Sequence, residues 1–190
     1  SILCHFACGG VATLYRSMRL ALHDILSRLG RVAMLDIRID DLTGEQTRSL
    51  LALHLAGMHA SSPPDAVFAL DLSGLQSPDV TVWTAWSADR VAAIGALKLL
   101  GGGTAEVKSM RTHPDFLRMG AAAAILDTII QAAKAKGVRH LSLETGMGPA
   151  FEPAIALYHR RGFVDGGPFG AYADNGFSRF MHLDLDAPPR

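Results

Sequence analysis

Apolar residues Val11, Leu14, Tyr15, Met18, Leu22, Ile25, Leu26 and Leu29 recur at the spacing of one helical face, and Gly30 supplies a stop. The pattern then changes. Leu35-Asp36-Ile37-Arg38-Ile39-Asp40 alternates apolar with polar, the period of a half-buried strand. Residues 1–33 therefore predict a leader helix and residues 34–190 the domain proper. The leader reads equally as a native element or as sequence lying ahead of a start at Met34. Thr43 with Gln46 three positions on predicts a capping box, opening a helix that carries Leu50, Leu51, Leu53, Leu55 and Met58 to about His59. Ser61-Ser62-Pro63-Pro64-Asp65 ends it and restarts a shorter helical piece.

Residues 80–86 and 91–100 predict two strands joined as a hairpin through Ser87-Ala88-Asp89-Arg90. Gly101-Gly102-Gly103 lies between strand-like runs and opens no helix, so it predicts a turn into a third strand over 104–111 rather than a phosphate loop. Residues 121–136 form the strongest helical pattern, with Ile125, Leu126, Ile129, Ile130 and Ala133 on one stripe, lysines in the last turn and Gly137 as the stop. A strand over 138–144, a helix over 149–161 ended by Gly162, and a strand over 177–185 complete the chain. The order β-α-(α)-β-β-β-α-β-α-β predicts a mixed α/β domain, a sheet with helices on both faces.

Composition narrows the function classes. An apolar fraction of 49% with 19% charged residues is that of a folded globular chain. Eighteen basic residues balance eighteen acidic ones, so no overall positive field draws nucleic acid or anionic lipid. Cys4 and Cys8 are too few and too local to cross-link a domain, which together with the lack of a signal-peptide pattern or a spanning apolar run points to the cytoplasm and away from the membrane. The eight histidines show no ligand pair with a third partner, so no metal site is expected. Neither a nucleophile elbow nor a Rossmann glycine pattern is present.

The segment from Met110 to Ala123 ends a strand, turns at Pro114 and enters a helix through small residues. Unpaired N–H groups and the positive dipole end at such a helix start suit a pyrophosphate. Gly120 and Ala122 let oxygens approach the main chain, and Arg118 adds charge. Small residues there equally serve close helix packing.

This stretch resembles the coenzyme A pyrophosphate loop of the GNAT superfamily of N-acetyltransferases, whose pattern is Gln or Arg, two residues, Gly, any residue, Gly or Ala. Gly120 and Ala122 match it, while Leu117 departs from the Gln/Arg position. Ala154-Ile155-Ala156-Leu157-Tyr158-His159-Arg160-Arg161-Gly162-Phe163 resembles a second family signature: a small residue, two residues, Leu-Tyr, several residues, Gly-Phe. Ser109-Met110-Arg111-Thr112, Leu143-Glu144-Thr145-Gly146 and Phe151-Glu152-Pro153-Ala154 look like a bacterial subgroup of that family. The likeness covers roughly residues 35–185.

The resemblance implies the GNAT acyl-CoA N-acyltransferase fold with an extra N-terminal helix, acetyl-CoA as co-substrate, and a small amine or peptide amine as acceptor. It places Met110, Arg111 and Thr112 on a splayed strand against pantetheine, and Leu117, Arg118, Met119, Gly120, Ala121 and Ala122 around the pyrophosphate. It makes Tyr158 the general acid for the departing thiolate; a tyrosine at that position also reads as a core residue of an amphipathic helix. Glu106 and Glu144 are both candidate bases, and either also reads as a paired strand carboxylate. Phe169 and Tyr172 would wall the acceptor pocket or merely anchor their loop. The leader's stripe, if native, would suit a homodimer. A non-catalytic acyl-CoA sensor and, below it, a nucleotide-binding module are the alternative readings.

Overall fold

The computed structural model describes residues 35–63 and 71–186, all within the second of the two units into which the chain divides, Leu35–Arg190. The expected leader helix, and the start of the short helical piece expected at Pro64, lie outside the described residues. The elements are β1 (Leu35–Ile39), α1 (Glu45–Ser61), α2 (Leu72–Leu75), β2 (Val80–Ser87), β3 (Arg90–Gly101), β4 (Thr104–Thr112), a 3-10 turn (Pro114–Phe116), α3 (Ala121–Ala135), β5 (His140–Gly146), α4 (Glu152–Arg160), β6 (Val164–Gly166) and β7 (Ser178–Asp184). They form a seven-stranded sheet ordered β1-β2-β3-β4-β5-β7-β6. Every neighbouring pair is antiparallel except β4 with β5.

Alternation along the strands divides the core in two. Val82 packs with Leu42, Leu50, Leu51, Leu75, Val91, Ile94 and Ala96, so α1 and α2 cover one face. Trp83, its neighbour, packs with Ile125, Leu126, Ile129, Leu141, Leu143 and Phe163, so α3 and α4 cover the other. Each such buried leucine or isoleucine contributes about 1.5–3 kcal/mol. Helix α3 lies so close to β3 that a Cβ at Gly95 would stand 2.5 Å from Cγ2 of Ile125 and 2.5 Å from the Met110 sulfur, which only glycine avoids.

Three expectations are corrected. The capping box does not form: the N-cap of α1 is Gly44, and the Thr43 hydroxyl donates to Asp41 at 2.7 Å. Gln46 instead ties α1 to the hairpin, donating to the carbonyl of Asp89 at 2.8 Å and accepting from the N–H of Val91 at 2.9 Å. Strand β5 starts two residues later than its apolar pattern suggested, because the N–H of Val138 is spent on the carbonyl of Ala133 in closing α3. Strand β6 was not expected, since Val164, Asp165 and Gly166 are all exposed and carry no periodicity.

Asp40 fixes the base of α1. Its carboxylate accepts from the Leu42 N–H at 2.8 Å, from the Thr47 hydroxyl at 2.9 Å and from the Thr84 hydroxyl at 3.0 Å, joining the end of β1 to α1 and β2. Arg48 adds a bond to the Leu42 carbonyl at 2.8 Å.

Candidate active site in the gap between β4 and β5

Strands β4 and β5 pair only from Thr104 with His140 to Val107 with Leu143. Beyond that point each keeps its other neighbour: Arg111 still registers with Ile94 of β3, and Glu144, Thr145 and Gly146 register with Phe180, Arg179 and Ser178 of β7. The two strands therefore splay, and the inner edge of β4 after Val107 faces a gap instead of a strand. A cavity of about 270 Å³ occupies the divergence. Lys108, Ser109, Met110 and Arg111 line it from β4, Glu144 from β5, Tyr158 from α4, and His54, Gly57 and Met58 from α1.

The two candidate carboxylates have different surroundings. Glu106 is 4% exposed and does not line the cavity. Its Oε1 accepts from the Tyr172 hydroxyl at 2.5 Å and lies 3.2 Å from Nζ of Lys108, which also donates to the Tyr172 hydroxyl at 2.7 Å. Glu144 lines the cavity, and its Oε1 is buried without a hydrogen-bond partner among the described residues. Burial raises its pKa above the usual carboxylate value, against the opposing hydrogen bond to Ser178 and the charge of Lys108; the charge of Glu106 acts with burial.

Tyr158 sits at the edge of the core, its ring 5.8 Å from that of Phe163. Burial first, and the nearby Glu144 second, push its hydroxyl well above the ordinary phenol range, so it stays protonated. His54, on the buried stripe of α1 with Thr47, Leu50 and Leu51, is 8% exposed. Burial, then the charges of Arg111 and Lys108, lower its pKa to about 4 and keep its imidazole neutral.

The loop after β4 is held from the hairpin. Arg90 pairs with Asp115 at 2.5 Å and lies 4.8 Å over the ring of Phe116, which is buried. Arg118 and Gly120 both take left-handed φ, 62° and 83°, and Gly120 is the N-cap of α3. The first bond into the ladder is from the N–H of Ala124 to the carbonyl of Gly120 at 3.0 Å, so the amides of residues 121–123 precede it. Ala121 is buried against the sheet, and its small side chain serves packing. Leu117 and Met119 are 60% and 46% exposed, an outward apolar pair beside the cap. The free amides and the unpaired β4 edge suit a long, thin ligand ending in a pyrophosphate.

Residues 44–163 match the model of the Acetyltransferase (GNAT) family. The chain belongs to the GNAT acetyltransferase family. It is 44% identical over 152 residues to the uncharacterized N-acetyltransferase YedL of Escherichia coli, covering 80% of this chain and 96% of that one. It is 46% identical over 149 residues to the uncharacterized N-acetyltransferase YsnE of Bacillus subtilis, covering 78% and 99%. A crystal structure of a putative acyl-CoA N-acyltransferase from Klebsiella pneumoniae superposes with a TM-score of 0.69 at 27% identity, over 80% of this chain and 99% of that one. The mixed seven-stranded sheet is thus the GNAT acyl-CoA N-acyltransferase fold, and the protein is an acyltransferase acting on an acyl-CoA and an acceptor.

Of the residues singled out from sequence, Met110, Arg111, Glu144 and Tyr158 meet at one cavity. Glu106 and Tyr172 are bonded to each other outside its lining, and Phe169 packs against Tyr172 at 5.0 Å, Phe180 at 6.1 Å and His182 at 5.7 Å. Sequence reasoning passed over His54 and Lys108. The signal for His54 was its place on the Leu50–Met58 stripe of α1; Lys108 alternates with Glu106 on one face of β4. Among the described residues no group of three or more His, Cys, Asp or Glu could hold a metal ion, and no helix is long and apolar enough to cross a membrane.

Proposed function

We propose that this GNAT protein moves an acetyl group from acetyl-CoA to a primary amine by direct attack, with Glu144 as general base and Tyr158 as general acid. The observation that carries this reading is that both side chains line the same cavity while burial raises the pKa of each. A carboxylate whose pKa is raised accepts an ammonium proton more readily at neutral pH than an ordinary one. A phenol held protonated by burial has a proton to give.

Attack by the neutral amine forms the C–N bond and breaks the thioester C–S bond. The ammonium proton goes to Glu144, and the departing thiolate takes the Tyr158 proton. The main chain of Met110, Arg111 and Thr112 would hold pantetheine along the open β4 edge, where an N–H also faces the charge that develops on the carbonyl oxygen. Leu117, Arg118, Met119, Gly120, Ala121 and Ala122 would receive the pyrophosphate on the amides opening α3. Glu106 enters as the buried partner of Lys108 and Tyr172 rather than as the base.

The test is thiol release from acetyl-CoA with a panel of amines, amino acids and peptides. Wild type should release thiol with at least one class, and Tyr158→Phe should lower kcat about 100-fold or more with the fold intact. Undiminished turnover in Tyr158→Phe removes the acid role. Binding of acetyl-CoA without release to any amine would leave the protein a sensor.

A further inference from the structure

Residues three apart on a regular strand point to opposite faces. Lys108 and Arg111 do not, because β4 carries one extra residue between them. Lys108 registers with Ala96 and Arg111 with Ile94, both in the core beneath α1. Ser109 takes φ 53° at this bulge. The bulge delivers two cations to one wall of the cavity, facing α1.

The two cations are not equivalent. Lys108, 8% exposed, is compensated by Glu106 at 3.2 Å. Arg111 joins no ion pair among the described residues, and its Nε–H is buried without a hydrogen-bond partner. Its guanidinium lies against the backbone of α1, where a Cβ on Gly57 would stand 3.1 Å from Nη1. Nearly a turn earlier on α1, His54 is also buried, with Nδ1 unpartnered among the described residues. Buried donors left unpaired carry a desolvation cost that an arriving acceptor group removes. The cavity therefore presents an uncompensated guanidinium and a buried imidazole on one side, and the partnerless carboxyl oxygen of Glu144 on another.

We propose that Arg111 and His54 bind a carboxylate on the acceptor, so that the substrate is a small amine that also carries one carboxylate, an amino-acid-like molecule. This rests on the acetyl-transfer reading above and names its substrate class. The planar fork of Arg111 matches a carboxylate in two parallel bonds, and His54 supplies a further neutral site for hydrogen bonding. One uncompensated cation suits a monoanion, whereas a dianionic phosphate would need a second. The ammonium end then lies toward Glu144, the group that takes its proton. A cavity of about 270 Å³ suits a molecule of that size rather than a polypeptide surface.

The test compares thiol release from acetyl-CoA for matched acceptors: each amino acid against its own carboxamide, with aminoalkyl phosphonates as the phosphate arm. Wild type should favour the carboxylate by about 30-fold or more in kcat/KM. The ratio should fall to near one in Arg111→Ala and be partly kept in Arg111→Lys. Such a ratio is insensitive to general damage to the fold. Equal use of acids and amides by wild type, a ratio that survives Arg111→Ala, or a preference for phosphonates overturns the proposal while acetyl transfer stands. If no amine releases thiol, the transfer reading fails, and calorimetric titration of N-acetylamino acids against their methyl esters decides the anion site separately. Selective binding of the acid that is lost in Arg111→Ala supports the site, and equal binding overturns it.

Discussion

Tyr172 and Glu106, 66 residues apart in sequence, share a hydrogen bond of 2.5 Å, and Lys108 donates to the same phenol at 2.7 Å. The loop before β7 is thereby latched onto the middle of the sheet.

Replacing Tyr172 with Phe leaves a buried carboxylate with one donor fewer, and should cost about 1–3 kcal/mol of stability. Urea midpoints measure it. The same substitution made on top of Glu106→Ala should cost markedly less, because the acceptor is already gone; equal costs in the two backgrounds would mean that the bond contributes nothing.

Glu144 carries a pH signature. Its folded pKa is raised, chiefly by burial, so its carboxyl is protonated at pH values where an ordinary glutamate is already ionised. With Glu144 as the proposed base, the acid limb of kcat/KM should lie above the ordinary glutamate value, and Glu144→Gln should abolish that limb while lowering the rate about 100-fold or more. Since a raised acid pKa means that the folded state holds the proton more tightly, wild type should lose stability relative to Glu144→Gln as pH rises through the shifted value. An acid limb unchanged in Glu144→Gln would assign the base elsewhere.

His54 predicts the opposite trend on the acid side. Its folded pKa is about 4 against an ordinary 6.5, so between those values the unfolded chain binds a proton that the folded chain refuses. Stability from this group is complete above pH 6.5 and is lost as pH falls to about 4, a total of about 3 kcal/mol. Chemical denaturation of wild type and His54→Gln at stepped pH should show a shallower acid decline in the variant. Parallel declines would count against it.

Gly120 has φ 83°, and no atom lies within 4 Å of where a Cβ would be, so the penalty for Gly120→Ala is conformational rather than steric. About 1–2 kcal/mol is expected. If that strain is relieved by turning the amides that open α3, calorimetry should show coenzyme A binding weakened about tenfold; unchanged affinity would remove those amides from the phosphate site.

The sheet and its two helical layers were legible because apolar periods of two and near 3.6 survive in β2 to β5, α3 and α4. The family loop was legible from Gly120 and Ala122 despite Leu117. What stayed hidden depends on contacts distant in sequence. The value of Gln46 lies in a hairpin more than forty residues away, and no local pattern distinguishes that use from a cap. Lys108 and Arg111 read as residues on opposite faces until the bulge at Ser109 is seen. Glu106 and Glu144 look alike in sequence; only the pairing that ends at Val107 and Leu143 leaves one outside the cavity and the other on its wall.

The polar fastenings of helix α1 lie at one end. Among the described residues its side-chain hydrogen bonds to the rest of the protein come from Gln46, Thr47 and Arg48, within its first turn. The residues it brings to the cavity, His54, Gly57, Met58 and Ser61, stand farther along. From Gln46 to Ser61 is about 22 Å of helix, so a tilt of about 5° at the base swings the tip by about 2 Å. In its polar bonds the helix is a cantilever, held partway along by Leu50 and Leu51 packed on the sheet, and the width of the cavity follows its angle. Asp40, which is not among the residues lining that cavity, acts as its wall bracket: loosening it would detune the fit of a molecule held at the far end while leaving Glu144 on β5 and Tyr158 on α4 where they are.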